Sequence, residues 1–357
     1  MDQQRQSEIL KFDQKYAKGI RGRFSRLGFA LAIMVLSGNA ASILIHALVT
    51  EFAPALIETD WYKWALSAVC VYLISVPVML LCAGKDKTAA PPERHKLTAG
   101  NFMILLLMCF GVMYAGNYIG TYLMMLVGGI RGEAISNPIQ DILMNSSIWA
   151  NVVVTAIIAP IVEELIFRKM FIDRLGGFGE KTVIVFSALM FGFFHTNPYQ
   201  FFYAFAVGML LAYVYVRTGK IWHTILLHAI INLFGGVMPT LLMKQIDQEM
   251  LMEFVEMASD AEKMQALMAD TEAYAEFVQQ FAPALPVFFA YAAYTMALMA
   301  VSVAGLILLL VRRRSFLFRP APFELPRERI GNTVYFSPGV VFAILSCTAL
   351  TVLVLLI

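Results

Sequence analysis

Long apolar runs separated by short charged connections constrain this chain more than any other feature. A bilayer core is about 30 Å thick, and a helix needs roughly 20 apolar residues to cross it. About nine runs approach that length, near 27–50, 62–83, 100–128, 147–172, 182–197, 199–217, 222–243, 285–311 and 338–357. In hydrocarbon each backbone polar group must be satisfied within the protein, so segments of this kind form helices. The expected fold is an all-α polytopic membrane protein with a four-helix core. The run at 182–197 is short for a crossing and ends in Asn197-Pro198. It is expected to pair with the next run as a tight helical hairpin. Composition agrees: the chain is 59% hydrophobic and 15% charged, where soluble domains carry about 25% charged residues.

Basic residues collect on cytoplasmic loops, and here they alternate along the whole chain. Lys11, Lys15, Lys18, Arg21, Arg23 and Arg26 precede the first run, whereas 51–61 carries only Glu51, Glu58 and Asp60. Lys85, Lys87, Arg94 and Lys96 follow the second run; 129–146 has only Arg131. Lys169, Arg174 and Lys181, then Arg217 and Lys220, mark two further basic connections. Residues 244–284 are acidic, with Lys244 and Lys263 the only bases, and six arginines from Arg312 to Arg329 follow the eighth run. This pattern predicts a cell-membrane protein with its N-terminus cytoplasmic and its C-terminus extracytoplasmic.

The remaining features narrow the class. A net charge of +2 and no basic cluster interleaved with aromatics argue against nucleic acid as a partner. Cys70, Cys82, Cys109 and Cys347 lie in apolar runs with neither disulfide nor zinc spacing. Residues 1–26 are too polar for a signal peptide and are expected to form a cytoplasmic arm. Pro91-Pro92 reads as a linker. Apolar residues near helical spacing within 244–284 predict one or two amphipathic helices on the outer surface, against the alternative of a solvated acidic loop.

Ionisable side chains inside a span cost about 2.5–3.5 kcal/mol each on insertion scales. Here they concentrate in three runs: Glu163, Glu164 and Arg168 in one, His195 in the next, and His228 with Asn232 in a third. Glu164 and Arg168 are spaced to pair on one helix face, and so are His228 and Asn232. Glu163 points about 100° away from Glu164, toward a neighbouring helix. A lone Glu–Arg pair would only tie helices together. A second carboxylate left over needs water, a proton or a histidine, which marks a functional site. Other histidines take plainer readings. His46 is expected to be interfacial or hydrogen-bonded locally, His95 sits in a basic loop, and His223 is expected at the interface beside Trp222.

The set Glu163-Glu164-x-x-x-Arg168, Phe191-x-x-x-His195 and His228-x-x-x-Asn232 resembles the CPBP family of CAAX-protease and bacteriocin-processing (Abi-type) membrane proteins. The resemblance covers residues 147–240. Lys169 departs from it, standing where many members have Gly. The resemblance implies peptide-bond hydrolysis within the membrane without a covalent intermediate or organic cofactor. Glu163 and His195 would hold and deprotonate a water, His228 and Asn232 would meet the oxyanion, and Glu164 and Arg168 would brace the site. The implied partners are a peptide or protein substrate, lipid-modified or membrane-associated, and the bilayer.

Two alternatives stay open: a zinc-dependent peptidase holding metal through Glu164, His195 and His228, and a non-catalytic membrane scaffold that retains the fold. A transporter is a weaker third reading, since the polar groups cluster in one region. The expected organisation is a cytoplasmic arm (1–26), three spans (27–128), a catalytic core (147–243), an acidic extracytoplasmic segment (244–284) and two final spans (285–357). The site is expected to open toward the cytoplasm. Counting from the nearest basic residues puts Glu164 roughly 15 Å from Arg174 but His195 roughly 21 Å from Lys181, so straight helices would set them at different depths.

Overall fold

The computed structural model describes residues 2–59, 61–85 and 95–356. The expected linker at Pro91-Pro92 lies outside them, as do Asp60, Lys87 and Arg94. The described residues form helices joined by short connections, without a strand. In order they form α1 (Asp2–Phe52), α2 (Tyr62–Ala83), α3 (Ala99–Arg131), α4 (Pro138–Met144), α5 (Ile148–Phe178), α6 (Glu180–Phe194), α7 (Pro198–Thr218) and α8 (Ile221–Met243). Then follow α9 (Gln248–Ser259), α10 (Ala261–Ala269), α11 (Thr271–Phe281), α12 (Leu285–Val311), α13 (Arg327–Ile330) and α14 (Pro338–Leu356). Eight of these helices are long and apolar enough to cross a bilayer: α1, α2, α3, α5, α7, α8, α12 and α14. The chain is a multi-pass helical membrane protein.

The run at 182–197 falls outside those eight. Its helix, α6, has 15 residues, about 22 Å of rise, and is too short for a full crossing. It does pair with α7 as a hairpin. Asn197 closes the turn, its side chain accepting the backbone N–H of Tyr199 while Pro198 opens α7. Thr196 takes a left-handed φ of 47° at that turn, and Gly179, at φ 126°, makes the other turn, between α5 and α6.

The polar arm is not a separate element. α1 is one helix of 51 residues, and Ile20, Phe24, Leu27 and Leu31 are buried along one face. Their three- and four-residue spacing carries the face of the first span back into the arm. Phe24 packs edge-on to Phe186, with ring centroids 4.9 Å apart. The acidic segment forms three helices where one or two were expected. Asp260 and Asp270 cap the second and third, each accepting two backbone N–H groups.

Hydrogen bonds between connections sort the helix ends into two faces. On one, Asn197 bonds Asn137, Tyr199 Oη donates to Ile135 O, and Lys244 bonds the Ser146 carbonyl. On the other, Arg174 donates to Ala83 O, Arg217 pairs with Glu180, and Glu180 accepts the backbone N–H of Arg319. The first face holds Glu51, Glu58 and the acidic segment. The second holds Lys85, Lys96, Arg174, Lys181, Arg217, Lys220 and Arg312–Arg314.

α3 and α12 cross at two glycines. A Cβ on Gly305 would stand 1.8 Å from the Leu107 carbonyl oxygen, and Gly111 lies opposite. Small residues let membrane helices approach this closely. Gly305→Ala must push the pair apart and is expected to cost about 1–3 kcal/mol. Thermal unfolding in detergent should show a lowered midpoint; an unchanged midpoint would mean that the contact contributes nothing.

Candidate functional site

The site is built from α5, α6 and α8, with α7 behind them. α5 alternates between α-helical and wider π-helical turns. Its α-helical stretch Ala159–Glu164 is flanked by π turns at Asn151–Ile158 and Leu165–Met170. Such turns insert a residue into the helical repeat and redirect side chains, often at functional sites. They bracket the two glutamates.

Glu164 is wholly buried. Its Oε2 lies 3.0 Å from Arg168 Nε, and its Oε1 lies 3.0 Å from His228 Nδ1. A carboxylate only accepts, so Nδ1–H of His228 donates and the tautomer is fixed. Arg168 is also fully buried, with Nη1 3.5 Å from Ser187 Oγ and its guanidinium 4.7 Å from the centre of the Phe191 ring. Ser187 donates in turn to the Phe167 carbonyl at 2.6 Å. This network locks the face of α5 that points away from the cavity.

Glu163 takes the opposite direction. Its side chain is 15% exposed, and Oε2 lies 3.7 Å from His228 Nε2. The His228 ring therefore stands between the two adjacent carboxylates, bonded to one and facing the other beyond direct hydrogen-bond reach. On α8, Asn232 donates at 2.9 Å to the Thr155 carbonyl, so one amide proton is held and the second remains. His195 caps α6, with Nδ1 2.8 Å from the Phe191 carbonyl. Nδ1–H donates there, which leaves the Nε2 lone pair available. Phe191 lies between the two histidines, its ring centroid 4.8 Å from that of His195 and 5.7 Å from that of His228.

Glu163, His195, His228 and Asn232 line one cavity of about 580 Å³, and Glu164 and Arg168 stand behind its wall. The depth mismatch disappears because α5 continues past Arg174 to Phe178. From Phe178 back to Glu164, and from Lys181 forward to His195, the chain runs an equal number of residues, roughly 21 Å on each arm.

The lining of the cavity has a direction along the helices. Beyond Glu163 its α5 lining is Ala159, Thr155 and Val154; beyond His228 its α8 lining is Asn232, Gly236 and Thr240. Both series lead to the acidic face, where Asn137 and Gln140 of the 132–144 segment join the lining. Distances to the nearest bases do not reveal which side of a helix is hollow, and the lining does.

Several lining residues carried no signal in the sequence reading: Tyr72 on α2, Asn117 on α3, and Gln200 and Tyr203 on α7, where Gln200 donates to Tyr203 Oη at 2.8 Å. Thr155 was equally silent, although it stands two turns before Glu163 and its carbonyl fixes Asn232. His46 is hydrogen-bonded locally, to Tyr62 Oη at 2.9 Å. His95 is exposed in the connection before α3. His223 stands beside Trp222, with ring centroids 3.9 Å apart; it is 3% exposed and Trp222 is 54% exposed.

A zinc ion held by Glu164, His195 and His228 does not fit this arrangement. Both Glu164 oxygens are engaged, one by a guanidinium and one by an imidazole N–H. Among the described residues no group of three or more His, Cys, Asp or Glu is disposed to hold a metal ion.

With the site assembled from α5 to α8, comparison with known proteins falls on the same stretch. Residues 145–234 match the family described as Rce1-like type II CAAX prenyl endopeptidases. The core of the chain is similar to that family. It is also 35% identical over 91 residues to a Bacillus subtilis (strain 168) protein named "Putative membrane peptidase YdiL", across 24% of this chain and 36% of that one. A Lactococcus lactis subsp. lactis (strain IL1403) protein, "UPF0177 protein YxdF", is 26% identical over 123 residues, across 34% of this chain and 68% of its own. The chain thus spans 36% of the length of the first of these relatives. No solved structure matches it. The Rce1-like segment supplies every carboxylate, guanidinium and imidazole at the site, whereas the cavity walls from α2, α3, α4 and α12 lie outside it.

Proposed function

We propose that the chain is an intramembrane endopeptidase of the cell membrane, N-terminus cytoplasmic, that hydrolyses a peptide bond with an activated water. The observation that carries this reading is the division of the two adjacent glutamates. Glu164 is consumed by Arg168 and His228, and Glu163 is left facing a cavity shared with His195, His228 and Asn232. Glu163 is the general base: it takes a proton from the water as the oxygen adds to the carbonyl and returns it to the amine as the C–N bond breaks. His195, through Nε2, accepts the second hydrogen bond of the water and orients it. His228 and the free N–H of Asn232 donate to the carbonyl oxygen as it gains charge, the role that usually supplies the largest electrostatic contribution. For His228 to donate there, both its ring nitrogens must carry protons, and the two flanking carboxylates balance that charge. Arg168 and Glu164 position His228 without touching substrate. Similarity to Rce1-like endopeptidases and to a protein named as a membrane peptidase supports the reaction class.

The test is peptide cleavage by the full chain reconstituted in vesicles, parent against His228→Ala. Loss of one oxyanion donor is expected to lower turnover by about 10²–10³-fold. Equal cleavage by both proteins would place the chemistry elsewhere. A cellular phenotype that survives the substitution would favour a scaffold.

A further inference from the structure

Resting on the endopeptidase reading, we infer that the substrate enters from the extracytoplasmic face, as an extended peptide strand held by uncharged amide side chains. Four helices carry the lining in one direction only. From Glu163 the α5 lining proceeds to Thr155, toward the start of that helix. From His228 the α8 lining proceeds to Thr240, toward its end. On α12 it is Tyr291 and Thr295, near the start, and α4 contributes Gln140. α5 and α12 run from the acidic face to the basic face, and α8 runs the other way, so all these positions lie on the acidic side of the glutamates. Glu163 and His228 are the floor of the cavity, and its mouth is at the acidic face.

The charge distribution says which compartment that face meets. Basic residues favour the cytoplasmic side, and the opposite face bears Lys85, Lys96, Arg174, Lys181, Arg217, Lys220 and Arg312–Arg314. The short helix α6 does not disturb this assignment. α6 begins, and α7 ends, at the basic face, so α8 leaves from the same side whether or not α6 crosses.

The mouth also states what it binds. Asn117, Asn137, Gln140 and Gln200 line it. Carboxamides both donate and accept, matching the alternating N–H and C=O groups of an extended backbone; Asn137 and Gln200 each keep an N–H and a lone pair beyond their bonds to Asn197 and Tyr203. A strand so held would end with a peptide carbonyl over Glu163 and Asn232.

Access is measured with cysteines. In a background with Cys70, Cys82, Cys109 and Cys347 replaced by Ala, Gln140→Cys places a thiol at the mouth and Lys220→Cys one at the basic face. A membrane-impermeant maleimide is added to intact cells expressing the full chain and, separately, to inverted membrane vesicles. Gln140→Cys is expected to label in cells and Lys220→Cys only in inverted vesicles. Labelling at Gln140→Cys should lower cleavage by about tenfold or more, as a crowded mouth spoils the orientation of the bound strand; labelling at Lys220→Cys should leave it unchanged. Labelling of Gln140→Cys in inverted vesicles alone, or full turnover after its modification, would overturn the inference. Labelling needs no turnover, so a parent protein that cleaves nothing counts against the peptidase reading while the side of the mouth is still determined.

Discussion

Glu163→Gln is expected to lower peptide cleavage by about 10²–10⁴-fold, the usual contribution of a positioned general base. The substitution is nearly isosteric and alters the acid that faces the cavity. Glu164, Arg168 and His228 keep their mutual contacts at 3.0 Å, so the fold should be undisturbed and the thermal midpoint in detergent close to that of the parent. The amide retains hydrogen-bonding capacity toward a water and toward His228 Nε2, and loses only the ability to take a proton. Single-turnover cleavage measured beside thermal unfolding separates chemistry from stability. A Gln variant that turns over within a few-fold of the parent would remove Glu163 from the role of base.

The second large effect is on the fold. Arg168→Met replaces a fully buried guanidinium with an apolar chain of similar length, leaving Glu164 buried without its cation. Removing one partner of a buried ion pair costs about 3–5 kcal/mol, chiefly because the other charge remains. Ser187 and the face of the Phe191 ring lose their partner as well. Thermal unfolding or protease resistance in detergent should therefore drop sharply. Arg168→Lys should recover only part of the loss, since a point charge cannot serve Glu164, Ser187 and an aromatic face at once. The double variant Glu164→Gln with Arg168→Met should be more stable than Arg168→Met alone, because the stranded charge has gone. If the single Met variant unfolds with the parent, the brace contributes nothing and Glu164 is neutral in the fold.

Much of this architecture is legible in the sequence for one reason: hydrocarbon makes polar side chains expensive. That cost singles out Glu163, Glu164, His195, His228 and Asn232 in the sequence alone, and the structure gathers Glu163, His195, His228 and Asn232 around one cavity. The spacing of Glu164 and Arg168 gives their pairing directly. Features resting on weaker energetics are harder to read. The arm joins α1 because Ile20 and Phe24 continue a buried stripe, a pattern overshadowed by the six basic residues around it. Asp260 and Asp270 act as helix caps and divide the acidic segment into three helices where one or two were expected. His223 is buried because a larger aromatic neighbour covers it. Hollow space leaves no periodic trace: Asn117, Asn137, Gln140 and Gln200 are ordinary polar residues until helices from both ends of the chain surround them. The direction of the cavity belongs to the same class, since it depends on where helices splay.

The hairpin of α6 and α7 departs from one face and returns to it. Such an excursion is neutral for the orientation of everything that follows. α8, the acidic helices and the last two spans keep their sidedness whether the excursion is present, shortened or absent. The fold thus carries His195 into the site on a hairpin that inverts no downstream segment.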